Sequence, residues 1–179
     1  MSGSEQSLKG MVERRLSYLY TGELTSVIVF VFVSYLFNYA FPNLRMYSLY
    51  SFWASFILLE FLLIQGTIFW YAKLKRLRKE NTSITPIKIV RQLYRFKRLN
   101  IMMIIVTIIA FVFDFIKWYP LLPIGGLSIA LLIYAFAILE FINYFYIQLS
   151  YGKISDIRHL LKSRKWKKSC LNKDFRRLL

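Results

Sequence analysis

Only one cysteine, Cys170, and one histidine, His159, occur among the 179 residues. A lone cysteine excludes a disulfide framework within the chain. The scarcity of both types leaves too few ligands for the usual zinc sites and no histidine base placed for triad chemistry. Acids are also few: nine Asp+Glu stand against 25 Lys+Arg, a formal net charge of +16. HExxH, GxSxG and Gly-rich phosphate loops are missing. The acids outside the apolar stretches (Glu5, Glu13, Glu23, Glu80, Asp156 and Asp174) are scattered, so no metal, no cofactor and no enzymatic activity are expected. What the chain has in excess is apolar side chains, and at 57% hydrophobic it cannot be a disordered polycation.

Four apolar stretches are long enough for a bilayer core of roughly 30 Å, which needs about 20 residues in helix. They lie at about 24–41, 48–72, 99–118 and 121–149. Pro42 and Asn43 punctuate the first connection, and Pro120, Pro123, Gly125 and Gly126 the second short one. Val, Ile and Phe fill the first and third stretches, but their length decides for helix over buried strand. The first stretch follows about twenty mostly polar residues and carries no small-residue cleavage signal, so it is expected to stay as a span. The fold expected is all-α and polytopic, one membrane domain over 1–179.

Charge sets the orientation. Lys9, Arg14 and Arg15 precede the first span, ten basic residues lie in 73–98 and ten in 153–179, so 23 of the 25 fall on one side. The opposite connections hold only Arg45 and Lys117, and the positive-inside rule places both termini and the central connection in the cytoplasm. Thr85 and Pro86 read as an N-cap and first helical position, opening an interfacial helix over 86–98. There Ile87, Val90, Leu93 and Tyr94 fall on one side and Lys88, Arg91, Arg95 and Arg98 on the other. These basic residues, with Lys97 and with Arg164, Lys165, Lys167 and Lys168 of the 161–179 tail, are the candidate contacts to anionic lipid headgroups. Ser169 is positioned to cap a last helix carrying Leu171, Phe175 and Leu178 on one face. Clustered Lys and Arg also suit nucleic acid, but no nucleic-acid motif is present and the charge lies beside membrane spans, so lipid is the expected partner.

A two-fold repeat is legible. At a shift of 80, Leu59-Glu60-Phe61 falls on Leu139-Glu140-Phe141, and Tyr71, Lys73 and Arg78 fall on Tyr151, Lys153 and Arg158. Phe37-Asn38 corresponds to Phe113-Asp114, and Val12/Arg14/Leu16 to Ile89/Arg91/Leu93. The halves would be 1–80 and 81–160, two parallel two-span units with basic amphipathic helices on the cytoplasmic side.

The repeat puts Glu60 and Glu140 at matching depths near the midplane. An acid at a helix centre costs roughly 2.5 to 3.5 kcal/mol on insertion scales and usually faces the bundle interior. All 25 Lys and Arg lie on the cytoplasmic side or at the outer turns, so none is placed to pair with them. Each is then protonated and donating a hydrogen bond, or the two share a proton, or they hold a cation. Asn143, one turn after Glu140, and Gln65, after Glu60, are the amides that would complete such a site. Asp114 differs: Lys117 follows three residues later, and a surface ion pair at the outer boundary accounts for both.

VERRLSYLY, FNYAFPN, LEFLL, LEFINYFYIQLSY and SDIRHLL together resemble small four-span membrane proteins of low-GC Gram-positive bacteria labelled general stress proteins. That resemblance implies a bacterial cytoplasmic membrane and a stress-related setting, and carries no catalytic or binding residue with it. The function expected is a non-enzymatic interaction or regulatory subunit gripping anionic lipid through its basic face, with a second copy or another membrane protein as a candidate partner. The alternative is a small oligomeric proton or cation conduit built on Glu60 and Glu140.

Overall fold

Without water to satisfy backbone groups, an apolar stretch in a bilayer has to bond its own N–H and C=O groups, and it does so as a helix. In the computed structural model, which describes residues 3–82, 84–147 and 169–175, the long elements are α1 (Gly3–Ala40), α2 (Tyr50–Glu80), α3 (Ile87–Trp118) and α4 (Ile124–Phe145), followed by a short α5 (Cys170–Phe175). All four long helices are long and apolar enough to cross a membrane. The shortest, α4, has 22 residues and reaches about 33 Å at a rise of about 1.5 Å per residue.

Helix ends follow local chemistry. After Ala40 the chain makes two 3-10 turns, Pro42–Leu44 and Met46–Ser48, pivoting on Arg45 in the left-handed region at φ 49°. At the other end of the bundle α2 stops at Asn81, also left-handed (φ 55°), a conformation asparagine tolerates better than most residues. Thr85 does not cap α3: Pro86 occupies the cap position, and the buried Thr85 hydroxyl donates to Asp174 Oδ2 at 2.7 Å. Ser169 does cap α5, accepting the Asn172 N–H at 3.0 Å.

The boundary expected between an interfacial helix over 86–98 and a span over 99–118 is absent. α3 runs unbroken for 32 residues, because no glycine or proline falls within it and a change from basic to apolar side chains does not interrupt a helix. Its apolar edge is divided, with Ile87 and Tyr94 exposed. Val90 and Leu93 are buried in a protein core with Phe69, Phe145 and Leu171.

α2 is the hub, packing against α1, α4 and α3, whereas α3 and α4 touch each other sparingly. More than half of its most apolar stretch is buried (56%), against 6% for α1. The two halves of the chain therefore pack differently, α1 lying closely along α2 while α3 and α4 are both laid on α2. At the turn end, Met46, Leu49, Phe52 and Ala130 form a second core. Gly125 and Gly126, expected in the connection, sit instead in the first turn of α4, where the 42–44 turn rests directly on the helix. A Cβ on Gly126 would collide with the Leu44 carbonyl oxygen.

Candidate functional site

The acidic residues of the bundle do not pair as the repeat implies. Glu140 lies 16 residues into α4 from Ile124, about 24 Å from the turn end, and Glu60 only ten residues into α2 from Tyr50, about 15 Å. The two helices run parallel from the same end, and Glu60 stands about 9 Å nearer the start of its own helix than Glu140 does. Neither Glu60 oxygen has a hydrogen-bond partner among the described residues, although both are shielded from solvent.

Around Gly66 a different group converges. Its absent side chain leaves room for the Tyr144 ring and the Glu23 carboxyl. A Cβ there would stand 2.7 Å from Tyr144 Cζ and 3.1 Å from Glu23 Cδ, and would overlap the Tyr144 hydroxyl. Glu23 faces the Tyr144 hydroxyl and the Trp70 indole N–H, and Glu140 is near enough to act electrostatically on both Glu23 and Tyr144. Asn143 Nδ2 donates to Glu140 Oε2 at 3.3 Å. Trp70 Nε1 and the Tyr144 hydroxyl are cut off from solvent, and neither attains hydrogen-bond geometry with the carboxyl it faces. Tyr144 is 7% exposed. Beside it lies a small cavity of about 10 Å³, bordered by Gln65, Gly66 and Leu171.

Gln65 does not serve Glu60. It makes a reciprocal amide pair with Asn100 of α3, each side chain donating to the other's oxygen at 3.0 Å, and both are buried. Asp114 is no surface ion pair. It is fully buried and accepts the backbone N–H groups of Tyr50 at 3.1 Å and Ser51 at 2.7 Å, so it caps the start of α2 from a neighbouring helix. The exposed N–H groups and positive dipole end of α2 attract the carboxylate more specifically than a lysine on its own helix does. Lys117 instead lies over the Tyr50 ring at 4.7 Å and the Trp118 ring at 5.8 Å.

At the opposite end, Lys88, Arg91, Arg95 and Arg98 form one exposed stripe along the first three turns of α3, and none pairs with an acid among the described residues. Lys97 is turned away over the Tyr146 ring at 4.3 Å. Three other cations at this end are committed: Lys73 to Asp174 at 3.3 Å, Arg76 to Glu80 at 2.5 Å, Arg78 to Glu13 at 2.7 Å. Arg164, Lys165, Lys167 and Lys168, and the repeat partners Tyr151, Lys153 and Arg158, lie outside the described residues.

Comparison with family models, with curated proteins and with solved structures finds no match. Among the described residues no group of three or more His, Cys, Asp or Glu is placed to hold a metal ion. Sequence reasoning missed Glu23, Tyr144, Trp70 and Asn100. The available signal was Glu23 itself, an acid directly abutting the apolar run that begins at Leu24.

Proposed function

We propose that this chain is a non-enzymatic integral membrane protein of a bacterial cytoplasmic membrane, an interaction or regulatory subunit that holds anionic lipid at its basic, cytoplasmic face. The observation that carries the reading is the stripe of Lys88, Arg91, Arg95 and Arg98, exposed and free of acidic partners among the described residues, on a helix continuous with a span. A collinear helix delivers those side chains to headgroup level at a fixed rotation, each worth about 1 kcal/mol against an anionic surface. The cation count favours the same side for both termini, and the correspondence at a shift of 80 supports descent from a duplicated two-span unit whose halves have since diverged in packing. The resemblance to small four-span proteins labelled general stress proteins supports a stress-related setting.

The test is lipid selectivity of the reconstituted chain, read with spin-labelled lipids. Phosphatidylglycerol should be retained over phosphatidylcholine, and a variant with Lys88, Arg91, Arg95 and Arg98 all changed to Gln should lose that preference. Added salt should weaken it. Equal retention of the two lipids by the unaltered chain would refute the reading. Cysteine labelling at Arg45 and at Lys173 checks the topology, since the Lys173 position should be protected from outside in intact cells.

A further inference from the structure

We propose that Glu23 of α1 and Glu140 of α4, with the Tyr144 hydroxyl beside them, form a proton-binding site that ties α1 to α4, and that loss of the proton drives the two helices apart. This goes beyond lipid binding and uses none of the basic stripe. A pair of like-charged carboxyls with no facing counter-ion among the described residues takes up either a proton or a cation. Burial and like charge favour the proton, since two carboxyls set together in a dry interior resist ionising at once. The N–H groups of Trp70 and Asn143 stabilise whichever carboxyl is ionised and cannot ligate a metal cation, which needs inward oxygens.

The charged groups near the site are otherwise engaged. Lys73, one turn beyond Trp70 on α2, lies over the Phe69 ring at 4.7 Å and the Trp70 ring at 6.0 Å, and is bound to Asp174 of α5. Lys97 of α3 lies over Tyr146, and the Tyr20 and Tyr71 rings on α1 and α2 stack on each other at 5.5 Å. Tyr144 is the second, independent mark of the site: a hydroxyl on a side chain more than nine-tenths buried, set against Glu23 in the gap that Gly66 provides, with no hydrogen bond completed. α1 packs along α2 and has little direct contact with α4, and Glu23 beside Tyr144 over Gly66 is one place where the two helices meet. With both carboxyls ionised, repulsion acts on the least buried helix of the bundle.

The experiment uses the full chain in nanodiscs and two readouts. In infrared spectra a protonated-carboxyl carbonyl band should disappear as pH is raised. Glu23→Gln and Glu140→Gln should each remove or shift it, Tyr144→Phe should move its midpoint, and Glu60→Gln should leave that midpoint in place. Spin labels at the exposed positions Ile28 and Leu139, with Cys170→Ser, should move to a longer mean distance over the same pH range, and Glu23→Gln should abolish the movement. Tyr144→Phe keeps the packing, so a failure of either glutamine variant to fold leaves the test intact. A band insensitive to Tyr144→Phe and to both glutamine substitutions would overturn the proposal, as would a label distance that ignores pH. Thermal protection by sodium or potassium at constant ionic strength would also overturn it, by assigning the pair to a cation.

Discussion

The Asp114 carboxylate on α3 accepts the Ser51 N–H at 2.7 Å, across 63 residues of chain, and so supplies to α2 the cap that its own N-terminal residue Leu49 cannot. Tyr50 N–H reaches the other oxygen at 3.1 Å. Helix N-termini leave four donors unsatisfied, and two of those of α2 are met by one buried side chain.

Replacing Asp114 by Ala should therefore destabilise the bundle by about 2 to 3 kcal/mol, because two buried donors lose a charged acceptor. Asp114→Asn, which keeps one acceptor oxygen, should cost about half as much. Unfolding by sodium dodecyl sulfate, followed by circular dichroism in mixed micelles, measures both. Lys117→Ala should cost less than about 0.5 kcal/mol if the ion pair is immaterial. A Lys117 effect as large as that of Asp114 would restore the ion-pair reading.

The Gln65–Asn100 pair should show coupling. Either single change to Leu strands the partner amide in a dry interface, whereas changing both removes the need for a partner. A double-mutant cycle should return an interaction of about 0.6 to 2 kcal/mol, the range of interhelical hydrogen bonds in membranes. Strict additivity of the two substitutions would show that the amides act independently.

Gly66→Ala should be more damaging than a methyl group ordinarily is, because the new carbon meets the Tyr144 ring and hydroxyl. A loss of about 1 to 3 kcal/mol is expected. Adding Tyr144→Phe should recover only part of it, since Cζ would still stand at 2.7 Å. Full tolerance of Gly66→Ala by the unaltered background would mean that Tyr144 does not occupy this gap.

α5 should come loose when Ser169 is changed to Ala. That hydroxyl accepts the Asn172 N–H at 3.0 Å and donates to the Tyr144 carbonyl at 2.6 Å, so a cap and a tether disappear together. Loss of about 1 kcal/mol of local stability is expected. Hydrogen exchange should accelerate across 170–175 while the centre of α2 stays protected. Unchanged exchange in α5 would show that Leu171 and Asp174 suffice to hold it.

The spans were legible because length and composition alone determine whether a segment can satisfy its backbone inside a bilayer. Pro42 and Asn81 likewise mark helix ends through local backbone chemistry. Partner choice was not legible, since it depends on rotations and depths that a linear pattern leaves open. Asp114 has a lysine three residues away, and that local partner hid the distant helix end. Glu60 and Glu140 align in sequence, yet α4 places its acid 16 residues from its start and α2 only ten, because the two helices begin at different points of the repeated pattern. Gln65 stands one and a half turns after Glu60 on the same helix, whereas the polar group it meets is Asn100 across the interface. The continuity of α3 was hidden because amphipathic and uniformly apolar segments look like different elements even when one helix runs through both.

The sparse burial of α1 bears on how the molecule responds to its lipid. Only 6% of its most apolar stretch is covered by protein, so the outward flank, including Ile28, Phe32 and Leu36, is the surface that acyl chains would solvate in a bilayer. A helix held along a single edge adjusts its tilt to hydrocarbon thickness at a cost of fractions of a kcal/mol per Å of mismatch. α2, gripped on several sides, has no such freedom. In bilayers of shorter acyl chains α1 should therefore lean while α2 keeps its angle, which turns the seam at Gly66 into the place where membrane thickness is felt by the protein.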